Sequence, residues 1–392
     1  MAANYGTRTP GAPAQGPLSP PLVRATSHAF ADAETIRAHS QGERAGDFYP
    51  RLCHGNGMHF ESLVAETEAT EGAVAFASGM AALHGALLGT CSAGDLVAVS
   101  DRVYGGTEQL VTVDLPRLGI GVARFDPLDP AALPAVLARR PRLVMVETPI
   151  NPTLRLVDLG AVCARAHEAG ALVLLDGTFA PPPVQRATEL GVDLVMHSAT
   201  KFYGGHSDCL AGVVAGPCRL LDPIAAFRTR SGGVLAPDVA WLLSRSHATL
   251  ALRVAAQQER AAALAAGLAE RAHASGAPRA VHYPGLASHP DHLLCRRQMT
   301  GGGTMLTVEV AGGLEGAVRV FERLRRIARA PSLGGVESVA SIPEHTTHAR
   351  ADAATRARMG IRAGMIRISV GLEDAGDLLA DLTQALAVGP VP

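Results

Sequence analysis

The sequence predicts an α/β chain. A mostly parallel sheet covered on both faces forms a large domain, and a smaller α+β domain follows at the C-terminus. Three observations predict this. Short, near-continuous apolar runs recur at residues 73–77, 96–99, 142–147, 171–175, 193–196 and 211–215, and strands without alternation belong to sheets buried on both sides. Helical patterns lie between several of them. Finally, one long Ala/Leu/Arg-rich helix, predicted from residue 237 to about 274, leads into a region with its own strands at 304–310 and 365–370 and a helix at 314–328.

Size and composition set the bounds. At 392 residues, with 47% hydrophobic and 18% charged residues, the chain is globular and long enough for two domains. The predicted division is an arm at 1–52 that contacts a neighbouring subunit, a large domain at 53–250 and a C-terminal domain at 251–392. A net charge of −1 argues against nucleic acid or an anionic membrane as partner. No apolar run reaches the about 20 residues of a membrane span. Residues 1–21 are rich in Pro, Gly and Ala, lack a signal-peptide core and read as a flexible lead-in. The six cysteines form no C-x-x-C pair, so neither zinc nor a disulfide framework is indicated, and a cytoplasmic location is expected. The histidine pairs at 289/292 and 345/348 fall in loops, without H-E-x-x-H, and no metal site is expected.

In order along the chain, residues 22–52 read as an extended arm ending in Phe48-Tyr49-Pro50-Arg51. Tyr49 and Arg51 face the same way in extended chain; they either pack on a neighbouring subunit or punctuate a loop. A helix is predicted over 60–68. The strand at 73–77 then runs through Ser78-Gly79-Met80 into a helix, and a helix N-terminus with free N–H groups is an anion site. Tyr104 precedes two glycines at a strand end, where its ring can face a flat ligand or simply occupy a turn. After the strand at 142–147, a helix is predicted over 156–169 with Gly170 as its stop. Asp176 ends the next strand, 25 residues before Lys201. In open parallel sheets ligands bind at the carboxyl ends of strands. No G-x-G-x-x-G follows a strand, which counts against a dinucleotide site.

The most informative stretch is His197-Ser198-Ala199-Thr200-Lys201. A lysine just beyond a core strand is poorly solvated, and desolvation leaves a nucleophilic amine. Ser198 and Thr200 suit a phosphate. Together they suggest a Schiff-base lysine beside a phosphate cup, as pyridoxal 5′-phosphate (PLP) requires, with Asp176 opposite the pyridine nitrogen. In the C-terminal strand, Arg367 alternates with Ile366 and Ile368. It suits a bidentate grip on a carboxylate, or else a solvated face.

These residues together resemble the Cys/Met-metabolism family of PLP-dependent enzymes, among them cystathionine γ-lyase and γ-synthase. The resemblance runs from about Tyr49 to the end. It is carried by Ser78-Gly79-Met80, Tyr104-Gly105-Gly106-Thr107, Glu147-Thr148-Pro149 with Asn151-Pro152, Asp176 with Thr178, Ser198 through Asp208, Ser332 through Ser338, and Arg367 through Leu372. It implies the PLP-dependent transferase fold (type I, aspartate-aminotransferase-like). It also implies that Lys201 carries the cofactor and shuttles protons, that Asp176 holds the pyridinium, and that Tyr104 stacks on the ring. Ser78, Gly79, Met80, Thr178, Ser198 and Thr200 hold the cofactor with Tyr49 and Arg51 of an adjacent subunit. Asn151, Ser338 and Arg367 orient the substrate carboxylate, and Glu337 belongs to the γ-type pocket. The implied assembly is a tetramer built from dimers that share active sites.

The implied chemistry is γ-elimination or γ-replacement through a vinylglycine-type intermediate. The sequence departs from the family at several positions. Phe48 replaces an acidic residue and Gln109 an arginine, both of which help hold the distal end of cystathionine. His54-Gly55-Asn56 replaces Asn-Pro-Thr, Gly177 an asparagine, and Gly106 the cysteine of methionine γ-lyases. Losing a charge-assisted hydrogen bond at 109 costs about 1.5–3 kcal/mol. The expected reaction therefore uses an amino acid with a Cγ leaving group, such as an O-acylhomoserine or S-adenosylmethionine, and a nucleophilic co-substrate other than cysteine, in a specialised biosynthetic role. The alternative is ordinary cystathionine cleavage or synthesis.

Overall fold

The computed structural model describes residues 18–387 except 44, 45, 276 and 350; most of the expected lead-in, residues 1–17, lies outside the described residues. Seven strands build the larger sheet: β1 (Gly72–Phe76), β2 (Leu96–Ser100), β3 (Gly121–Phe125), β4 (Leu143–Glu147), β5 (Leu172–Asp176), β6 (Leu194–His197) and β7 (Gly212–Gly216), in the order β1-β7-β6-β5-β4-β2-β3. Every neighbouring pair is parallel except the two made by β7. Successive residues feed opposite cores: Leu143, Met145, Leu174 and Met196 pack on one face, Val144, Val146, Val173 and Val195 on the other. That is why these strands read as continuous apolar runs.

The second sheet is β8 (Ala280–His282), β9 (Met305–Glu309), β10 (Ala328–Arg329), β11 (Val339–Ser341) and β12 (Met365–Ser369), ordered β10-β11-β12-β9-β8. β9 and β12 pair antiparallel with Arg367 opposite Thr307.

Several elements differ from expectation for identifiable reasons. The arm is not extended throughout: Asp32 accepts from Thr35 N at 2.7 Å and caps a helix at Ala33–Ser40. The helix expected over 60–68 is Gly55–Glu68, because His54 Nδ1 accepts from Gly57 N at 3.0 Å and supplies an early cap. Asn56 is spent on the N-terminal segment, donating to Pro21 O and accepting from Val23 N. The long helix is two, Pro237–His247 and Leu250–Ser275. Arg253 holds the break, donating to Thr249 Oγ1 and to the carbonyl of Ser246, both at 3.1 Å. The helix expected over 156–169 starts at Leu159, behind an Asp158 cap, and that over 314–328 is Gly313–Arg323. Strand β3 escaped the sequence reading, since it is short and interrupted by Arg124.

Candidate active site

Carboxyl ends of the parallel strands, the loop at 331–333 and Arg367 on the central strand β12 of the second sheet enclose a cavity of about 540 Å³. β4 ends in Glu147 and β5 in Asp176, which are register neighbours and both buried. Glu147 accepts from Tyr104 N at 2.7 Å and Asn151 N at 3.4 Å. Asp176 accepts from Thr178 N at 3.0 Å. Burial pushes both carboxyls up, Glu147 the further because the Asp176 charge adds to it, while Arg367 pulls Glu147 back.

Lys201 reaches the cavity from the turn after β6, and its Nζ donates to Ser332 Oγ at 2.9 Å. Burial and then the Arg367 cation lower its pKa. Arg367 is 3% exposed. It donates from Nη1 to Asn151 Oδ1 at 3.1 Å and from Nη2 to Ser332 O at 2.8 Å, while its buried Nε has no partner among the described residues. Burial lowers its pKa to about 10, so it remains a cation at neutral pH.

On the opposite wall Ser78 caps the helix Gly79–Thr90, accepting from Ala81 N at 3.1 Å. The first N–H groups of a helix have no acceptor within it. Gly79 lies against Ser198 so closely that a Cβ on it would sit 2.8 Å from Ser198 Cβ. Thr178 Oγ1 accepts from Ser198 N at 2.9 Å, and Thr200 Oγ1 pins Ala211 through both its N and its O.

The cavity thus brings together Ser78, Gly79, Met80, Tyr104, Asn151, Asp176, Thr178, Ser198, Thr200, Lys201 and Arg367. It does not bring in Ser338. That hydroxyl donates to Glu373 Oε2 and accepts from Gly371 N, so it is committed away from the cavity. Ser332 stands in the place expected of it. Glu337 accepts from Ser207 Oγ and also lies off the cavity wall. Phe48 packs with Phe30 and His39 of its own arm. Tyr49 is exposed, with Arg51 over its ring and bonded to Thr229 O. Neither reaches this chain's own cavity.

Gln109 lines a second cavity of about 760 Å³, which shares Tyr104, Thr346 and Thr347 with the first. Beside it the Arg124–Glu108 ion pair closes at 2.5 Å. His348, also on this wall, is buried and its pKa falls to about 4.

Sequence reasoning missed Glu147, Thr107 and Ser332 as site residues. Glu147 carried the same signal as Asp176, a carboxylate at the carboxyl end of a core strand. Ser332 opens a motif the sequence did show, but nothing local favoured it over Ser338.

The residues fit PLP. An amine with lowered pKa, a capped helix start against a serine too close for any Cβ, and a buried carboxylate surround one cavity. The Thr107 hydroxyl, buried on its wall, has no partner among the described residues. The donor set suits a phosphate at one end, an aldehyde at the lysine and a pyridine nitrogen at Asp176.

Residues 2–387 match the profile of the family described as Cys/Met metabolism PLP-dependent enzyme. L-methionine γ-lyase of Pseudomonas putida is 38% identical over 373 residues, covering 95% of this chain and 93% of that one. O-succinylhomoserine sulfhydrylase of Pseudomonas aeruginosa is 38% identical over 381 residues, covering 97% and 92%. The solved structure of cystathionine γ-synthase from Xanthomonas oryzae pv. oryzae in complex with cystathionine superposes with a TM-score of 0.88 at 36% identity, covering 95% of this chain and 94% of that one. With the site geometry, these establish that the chain belongs to the Cys/Met metabolism family of PLP-dependent enzymes.

Proposed function

We propose that this enzyme catalyses γ-replacement or γ-elimination on an amino acid with a leaving group at Cγ. One observation carries the reading: Arg367, Asn151 and Ser332 form a carboxylate grip whose last member also holds the Lys201 amine. A grip and a base fixed to one another place the substrate Cα beside a proton acceptor.

PLP, when bound, supplies the electron sink that acidifies Cα–H and then Cβ–H. Lys201 would hold the cofactor, and Ser78, Gly79, Met80, Ser198 and Thr200 would cradle its phosphate. Thr178 orients Asp176, which would hold the pyridine nitrogen; Tyr104 would cover the ring. Arg367 takes the substrate carboxylate through donors not spent on Asn151 and Ser332. Lys201, its pKa lowered by burial and by Arg367, takes the proton from Cα and moves protons at Cβ as the Cγ substituent leaves. The exposed Tyr49 and Arg51 would complete the phosphate site of a second copy, in a dimer that shares its active sites and pairs into a tetramer.

The nucleophile is assigned as other than cysteine. Gln109 carries no charge at the second cavity, and Phe48 is turned into its own arm's aromatic cluster. Neither supplies the ion pair that a distal amino-carboxylate would need.

The test offers cystathionine, an O-acylhomoserine and S-adenosylmethionine to the PLP-loaded protein in deuterated water. Released leaving group, 2-oxo acid and deuterium at Cα and Cβ are read. Cβ exchange with leaving-group loss from a non-cystathionine donor is expected. Exchange at Cα alone with every donor would refute γ-chemistry, and efficient cystathionine turnover would refute the nucleophile assignment.

A further inference from the structure

Behind the sheet, on the side away from the cavity, lies a buried pair that the reaction leaves unused. Met196 on β6 lines the cavity, so the next residue, His197, points to the opposite face. Its Nε2 meets Glu68 Oε1 at 2.5 Å, with both side chains buried. Tyr203 donates to the same oxygen at 3.3 Å, and Glu68 Oε2 has no partner among the described residues. Glu68 is the last residue of the helix Gly55–Glu68, where the helix dipole disfavours an anion. A buried carboxylate at that end, half unsatisfied, is a costly arrangement. Stability does not explain it.

The neighbouring turn does. A Cβ on Gly177 would lie 2.8 Å from His197 Cε1, so the turn after Asp176 rests directly on the imidazole. The same turn is tied at two further points, through Gly177 N to Met196 O at 2.9 Å and through Thr178 Oγ1 to Ser198 N at 2.9 Å. The ring therefore fixes the height at which the turn, and the carboxylate that opens it, stand above the sheet. The glycine at 177, one of the departures from the family pattern, is what allows the close approach.

We propose that His197, anchored by Glu68, is the positioning residue for Asp176, propping the Asp176–Gly177–Thr178 turn from behind so that its carboxylate meets the pyridine nitrogen of PLP. This rests on the reading of Asp176 given above. Burial drives Asp176 towards its neutral form, and the Thr178 hydrogen bonds, followed by His197, act against that drive.

The experiment is a double-variant cycle on apoprotein titrated with PLP, with melting temperature recorded beside it. Asp176→Asn must itself weaken PLP binding; if it does not, the reading of Asp176 fails. Given that loss, His197→Gln is expected to weaken PLP about tenfold or more when Asp176 is present and to add little when Asn stands at 176. Equal losses on both backgrounds, or none on either, overturn the proposal, because a merely structural histidine acts regardless of residue 176. If H197Q does not fold, Glu68→Gln, which keeps the volume and an acceptor for Tyr203, carries the same cycle. Failure of both to fold assigns the pair to the core and likewise overturns it.

Discussion

Replacing Arg367 with Gln isolates the carboxylate grip. Gln keeps an amide donor for Asn151 Oδ1 or the Ser332 carbonyl, the two partners of the guanidinium, but loses both the charge and the planar fork. A carboxylate held bidentately loses two charge-assisted hydrogen bonds at about 1.5–3 kcal/mol each. The sum, about 3–6 kcal/mol, corresponds to about 10²–10⁴-fold in dissociation constant at about 1.4 kcal/mol per tenfold. The assay follows binding of L-alanine and of ethylamine to the PLP-loaded enzyme by the change in cofactor absorbance. Alanine binding should fall by the stated factor, while ethylamine, which has no carboxylate, should bind R367Q and the parent alike. An equal loss for both ligands would mean that Arg367 supports the cavity rather than gripping the substrate, and the reasoning would be wrong.

Other outcomes follow from the same geometry. Lys201→Ala should abolish any borohydride-reducible adduct with PLP and slow Cα exchange by about 10²–10⁴-fold. In the apoprotein, the rate of PLP capture should rise with pH through a midpoint below that of an ordinary lysine. In R367Q the midpoint should move up, because the second cause that lowers the Lys201 pKa is gone. Gly79→Ala should weaken PLP binding, since its Cβ would meet Ser198 Cβ at 2.8 Å and Ser198 Cα at 3.1 Å; overpacking of this kind costs about 1–3 kcal/mol. Gln109→Arg with Phe48→Glu should raise cystathionine turnover, and no gain would show that these positions do not set the substrate.

Much of this is legible in the sequence. Asp176, Lys201 and the helix start at Gly79 follow from chain order, because a strand end, a small-residue turn and a helix are local events. What could not be read is whatever depends on two distant segments meeting. Ser332 and Ser338 stand in one short loop with similar neighbours; only the approach of Glu373 commits Ser338 and leaves Ser332 to face Lys201. The early start of the helix at Gly55 rests on a histidine acting as cap while its other nitrogen bonds Leu235 O, 181 residues away. The broken helix at 247–250 has good helix formers on both sides, and its stop is made by Arg253 reaching back to the carbonyl of Ser246. Strand β3 was hidden by Arg124, which a half-exposed edge tolerates and a central strand would not.

The partition between the two cavities has a consequence for how this site can diversify. It is built in part from Gly105, whose Cβ would meet Thr347 O at 2.8 Å, and Gly106, whose Cβ would meet Tyr104 Cε1 at 2.6 Å and Met80 Sδ at 2.9 Å. A Cβ at 106 would press on the Tyr104 ring and on Met80 Sδ, so a side chain there requires one of them to shift. The wall is therefore constrained from within, and new specificities are expected on its far side, where the exposed Thr112 and Val113 border open volume.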